Sequence, residues 1–140
     1  MKLHDHFDGW HLTLESGFLQ LIQIDYRLGL FLSDALDNAQ LFVETTSYLK
    51  GPDVDATLNP AEPASLAPIL PLFNTEVVSV VIRFTGELQV QFGSGYILEV
   101  DPSDSYEAWQ LGCSIGVMFV SAPGGKVSFF QQENHLDRQI

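Results

Sequence analysis

The chain has 140 residues, 46% of them apolar, with ten Phe, four Tyr and two Trp, and 18 acidic side chains against six Lys and Arg give a formal net charge of −12. A domain of this size buries roughly two thirds of the surface its unfolded chain exposes, so one folded domain spanning 1–140 is expected and wholesale disorder is excluded. Lys2, Arg27, Lys50, Arg83, Lys126 and Arg138 form no cluster in the sequence, which argues against nucleic acid and anionic membrane surfaces as partners.

The start, MKLHDHFDGWHLTLESG, mixes histidines with acids and holds no apolar run of the length a targeting signal needs. Nowhere does the chain approach the roughly eighteen continuous apolar residues of a transmembrane helix. His4, Asp5, His6, Asp8 and His11 stand close together here. In an extended strand His4 and His6 point to the same side, a spacing able to hold zinc or another borderline metal. The preferred reading is a loosely attached segment over residues 1–16, with its polar side chains in solvent and Phe7 and Trp10 docked on the domain. No metal and no cofactor are then expected.

GFLQLIQIDYRLGLFLSD places apolar residues at Leu19 and Leu21 and, after a slip of phase, at Ile22 and Ile24, then at Leu28, Leu30 and Leu32. This period-two pattern predicts strands, with a handover near Arg27. SDALDNAQ is a polar turn, and AQLFVETTSYL reads as one further strand with Leu41, Val43 and Thr45 on one side. From Lys50 to Phe73 the chain holds five prolines and no alternation, which breaks the meander. A short helix is predicted near residues 63–73, starting at Pro63, with Leu66, Ile69, Leu70 and Phe73 on one face.

VVSVVIRFTGELQVQFGSGYILEV resumes the alternation as three strands with tight links, an antiparallel meander. Val78, Val80, Ile82 and Phe84 are expected to face the core, followed by Leu88, Val90 and Phe92, and Tyr96, Leu98 and Val100 then alternate with Ile97 and Glu99. Residues 105–109 read equally well as one helical turn or as an extended stretch. Glu107 sits between large rings, and its expected role is structural. Cys113, the single cysteine, has no cation or histidine base near it in sequence and reads as a small buried hydrophobe. GVMFVSAPGGKVSFF forms two strands around a turn at Pro123, Gly124 and Gly125, where a glycine takes the left-handed angle. Residues 131–140 are expected to be a mobile tail.

YEAW at Tyr106 to Trp109, SAPGGKVSFF at Ser121 to Phe130 and the preceding FGSGYILEVDP together resemble a family of small bacterial domains of unknown function over roughly residues 17–130. The resemblance implies a standalone or accessory domain with Tyr106, Glu107, Trp109, Pro123, Gly124 and Gly125 as its structural motif. It also implies a loose association with immunity-type proteins, and it supplies no catalytic residues.

The fold expected is mainly β, with α+β as the alternative class: antiparallel meanders in a curved sheet or small two-layer sandwich with one short helix. The function expected is an acidic protein-binding module, an immunity-type inhibitor of a basic protein, acting through Asp34, Asp37, Glu44, Asp53, Asp55 and Glu62. Two alternatives stand beside it. One is a small metal-dependent enzyme or binding domain using the histidine-rich start, and the other is a structural domain forming homo-oligomers through sheet edges. A lone cysteine fits a reducing cytoplasm.

Overall fold

A computed structural model describes residues 1–132; residues 133–140, most of the expected tail, lie outside the described residues. Strands β1 (Lys2–His6), β2 (Gly9–Ile24), β3 (Leu28–Ser33), β4 (Asn38–Val43), β5 (Ser47–Lys50) and β6 (Asp55–Leu58) precede a 3₁₀ helix over Pro63–Leu72. Strands β7 (Glu76–Arg83), β8 (Leu88–Phe92), β9 (Ile97–Val100), β10 (Trp109–Cys113), β11 (Val117–Ser121) and β12 (Val127–Gln131) follow. Among the described residues all pairings are antiparallel, in the order β12-β11-β10-β4-β3-β2-β7-β8-β9-β5-β6, with β1 held by β2 alone. The protein is thus mainly β, a curved antiparallel sheet with one short helix.

The curvature originates in β2. Its first half pairs with β1 and β7, and its second half pairs with β3. Between them the register with β7 shifts from Thr13 to Gly17, and Ser16 takes a left-handed φ of 54°. Bulges of this kind bend a strand and increase its twist. Gly17 is required there, because a Cβ would stand 2.5 Å from the Leu14 side chain and 2.7 Å from the Val77 carbonyl oxygen. A second irregularity between Leu19 and Leu21 accounts for the phase slip in the sequence. The bend rolls the β10–β12 end of the sheet over β2: Trp10 meets Phe119 of β11 at 5.0 Å and Phe129 of β12 at 5.5 Å between ring centroids. Leu12, Leu30, Leu41, Val80, Leu98 and Phe119 lie fully buried in the single core enclosed between.

Several local expectations need correction. Residues 1–16 are not a loose segment: β1 and the first half of β2 are sheet strands, and Leu12 is buried in the core. AQLFVETTSYL is two strands, since β4 pairs with β3 and β10 whereas β5 pairs with β9 and β6. The chain crosses between them at Glu44 to Thr46, where the Glu44 amide bonds the Ala108 carbonyl at 2.9 Å. The proline-rich stretch still contains the four-residue β6, hidden from pattern reading because Leu58 is its one fully buried apolar residue. The helix is 3₁₀, with side chains eclipsing every three residues. Leu66, Ile69 and Leu72 therefore face inward while Leu70 and Phe73 are about half exposed. In β7 a register shift between Val77 and Ser79 leaves Val78 exposed, and Phe84 lies beyond the strand end, also exposed. Residues 105–107 form no helical turn, and β10 begins at Trp109.

Candidate metal centre

The β1–β2 hairpin turns at Phe7 and Asp8, with His6 opposite Gly9, Asp5 opposite Trp10 and His4 opposite His11. Directly opposed residues share a face, and successive residues alternate. His4, His6 and His11 therefore lie on the outer face while Leu3 and Leu12 point to the core. Gly9 matters twice here. A Cβ on it would sit 1.8 Å from the Ile82 carbonyl oxygen, so its missing side chain permits the close approach of β2 to β7. It also leaves His6 without a cross-strand side-chain neighbour, and the His6 ring stacks on His11 with centroids 4.3 Å apart and planes 11° from parallel.

Asp8 is brought to this pair from the turn. Its carbonyl accepts the Phe84 amide at 2.9 Å, which ties the hairpin tip to the end of β7 and sets Arg83 beside the carboxylate. Asp8 Oδ1 lies 2.8 Å from His6 Nδ1, and Oδ2 accepts from the Arg83 guanidinium. Partial burial opposes its charge, but the His6 hydrogen bond and the Arg83 charge hold the Asp8 pKa below the ordinary carboxylate value. One ligand atom each from His6, Asp8 and His11 falls within 4.8 Å of the others. Two imidazoles and a carboxylate form a donor set suited to zinc and similar borderline cations. Tetrahedral coordination at about 2.0–2.1 Å needs ligand atoms roughly 3.3 Å apart, a contraction that the exposed His6 and the half-buried Asp8 and His11 can supply by rotating. His4 stands outside this triplet, with Nε2 3.1 Å from Thr13 Oγ1, and Asp5 occupies the opposite face of β1.

The carboxylates expected to form an acidic docking surface are dispersed, and several are engaged within the chain. Asp34 Oδ2 is 2.8 Å from the Met1 ammonium, and its side chain is 2% exposed. Burial opposes its charge, yet that ammonium and the amides of Asp37, Leu36 and Glu15 lower its pKa to about 2. Asp37 accepts from the same ammonium at 3.1 Å and from Ser114 Oγ at 2.9 Å. Asp53 accepts the Tyr96 hydroxyl at 2.7 Å, Asp55 lies opposite Lys50, and Glu62 occupies the cap position of the 3₁₀ helix. Glu44 and Glu107 line a cavity of about 80 Å³ with Arg27 and Trp109. The reading as an acidic protein-binding, immunity-type module is therefore corrected: the side chains the fold gathers are His6, Asp8 and His11, and they favour the alternative use of the histidine-rich start.

The residues of the closing motif are placed differently from one another. Trp109 is buried and donates Nε1–H to the Gly86 carbonyl at 2.8 Å, whereas Tyr106 and Glu107 are exposed. Pro123, Gly124 and Gly125 form the β11–β12 turn, with φ of 88° and 94° at the two glycines. Burial pushes the Cys113 thiol pKa up, the reverse of what an activated nucleophile needs.

Fold and site together define a small mainly-β domain whose first hairpin displays a His-Asp-His cluster on its outer face. Residues 10–131 match a family of unknown function (DUF6188), and the chain belongs to that family. His11 and Arg83 lie within the matched stretch, while His6 and Asp8 precede it. The match carries no immunity association. No curated protein and no solved structure matches the chain. Among the described residues, no helix is long and apolar enough to cross a membrane.

Proposed function

We propose that this domain binds a borderline divalent cation, zinc foremost, on the outer face of its first hairpin through His6, Asp8 and His11. The observation that carries this reading is the convergence of the three ligand atoms to within 4.8 Å. The hairpin register supports it by placing His6 and His11 on one face, and the link from Asp8 to Phe84 supports it by fixing the tip. Arg83 competes with the cation for Asp8, so affinity is moderate. Three protein ligands leave a fourth coordination position. Nucleic acid is not a partner, given the net charge of −12, and a single cysteine fits a reducing cytoplasm.

Equilibrium dialysis against buffered zinc, followed by metal analysis, tests the proposal. The expected result is one zinc per chain in the wild type and none in a His6→Ala/His11→Ala variant of unchanged circular dichroism. No zinc on the wild type, or zinc undiminished on the double variant, would overturn it.

A further inference from the structure

The donor cluster gathers three side chains, yet a fourth donor stands beside it on the same face. His4 is the direct cross-strand partner of His11 and is two residues from His6 along β1. Directly opposed Cβ atoms in an antiparallel pair are about 4.5–5.5 Å apart, and residues two apart on one strand project to the same side. His11 is thus flanked by His4 across the ladder and by His6 on the diagonal. His4 is exposed, and the one side-chain hydrogen bond it makes among the described residues is to Thr13 Oγ1 at 3.1 Å. The Thr13 hydroxyl donates to the Lys2 carbonyl at 3.4 Å. His4 Nε2 is then the donor to Thr13, and Nδ1 keeps its lone pair.

Resting on the metal-binding reading, we propose that His4 is the fourth ligand: on metal binding it leaves Thr13, rotates toward His11 and closes a His4, His6, Asp8, His11 site. Releasing Thr13 exchanges one exposed hydrogen bond for hydration, a small cost beside a metal–imidazole bond. A closed four-ligand set is the form that structural zinc sites take. The bound ion therefore staples β1, whose one strand partner among the described residues is β2, to the rest of the sheet, and no coordination position remains for an outside ligand.

Cobalt(II) substitution tests this, because tetrahedral cobalt absorbs far more strongly in the visible range than five- or six-coordinate cobalt. The wild type is expected to give the intense tetrahedral spectrum. His4→Ala is expected to give a weak one with zinc affinity reduced at least about tenfold, and Thr13→Val, which frees His4 beforehand, is expected to bind zinc more tightly. Zinc binding that depends on His6 and His11 but is unchanged in His4→Ala, with an unchanged cobalt spectrum, overturns the role of His4 and leaves the three-ligand site standing. Absence of zinc binding in every form overturns both. All the substituted side chains are exposed or half-buried, and circular dichroism of the metal-free proteins checks that each variant folds.

Discussion

Replacing Trp109 by Phe isolates a single buried hydrogen bond at the place where the sheet closes on itself. Trp109 is 1% exposed, and its Nε1–H donates to the Gly86 carbonyl, in the turn between β7 and β8, at 2.8 Å. Gly86 has little freedom to follow a retreating partner. It is buried with φ of 100°, and a Cβ on it would stand 2.5 Å from the Gly125 carbonyl oxygen. Phe removes the donor and leaves the carbonyl, among the described residues, with only Ser121 Oγ at 3.5 Å, a deficit of about 1–3 kcal/mol. The smaller ring adds a packing loss of roughly 1–2 kcal/mol, part of the 3–5 kcal/mol that full truncation of a buried Trp costs. The expected loss is therefore about 2–5 kcal/mol, out of a total stability on the order of 5–15 kcal/mol. Urea unfolding followed by far-ultraviolet circular dichroism should show a lower midpoint at unchanged slope. Ser121→Ala, which removes only the long contact, is the control and should cost less than about 1 kcal/mol. A Trp109→Phe loss no larger than that control would refute the view that this bond closes the sheet.

The Asp34 carboxylate supplies a pH dependence. Its folded pKa of about 2 lies below the ordinary 3.8, so its stabilisation, about 2 kcal/mol, is complete only well above pH 3.8, from about pH 5, and is lost as pH falls through 2. The stability gap between wild type and Asp34→Asn should accordingly narrow from about pH 5 downward, and a pH-independent gap in urea melts would exclude the carboxylate charge as its source. In the 3₁₀ helix Leu72→Ala should cost about 2–4 kcal/mol, and the half-exposed Leu70→Ala should cost under about 1 kcal/mol; equal losses would contradict the three-residue period. Arg83→Gln removes the cation that competes for Asp8 and should tighten zinc binding several-fold by calorimetry, whereas weaker binding would make Arg83 a positioning residue.

Much of the fold could be read in the sequence because strands with one buried face alternate. Leu88, Val90 and Phe92, and Leu98 and Val100, face inward as their spacing requires. Reading failed where geometry intervenes between spacing and face. The shift between Val77 and Ser79 changes which residues of β7 point inward, and a 3₁₀ turn replaces Leu70 and Phe73 by Leu72. Neither a bulge nor a helix period is written in polarity alone. At the site, the five polar residues of the start stood out, but their grouping depends on a hairpin. The turn falls at Phe7 and Asp8, which form no strong turn dipeptide, and Gly9 already belongs to β2. Once the hairpin is recognised, the register places His11 on the outer face with His4 and His6. The contribution of Arg83, which is distant in sequence, follows only from the pairing of β2 with β7.

The central claim is that the outer face of the first hairpin holds a metal ion. Isothermal titration of the metal-free protein with zinc, alongside His6→Ala/His11→Ala, tests it most directly. The account predicts a single saturable site with one zinc per chain in the wild type and no resolvable heat of binding in the variant. Equal binding by the two proteins, or no binding by the wild type, would contradict it.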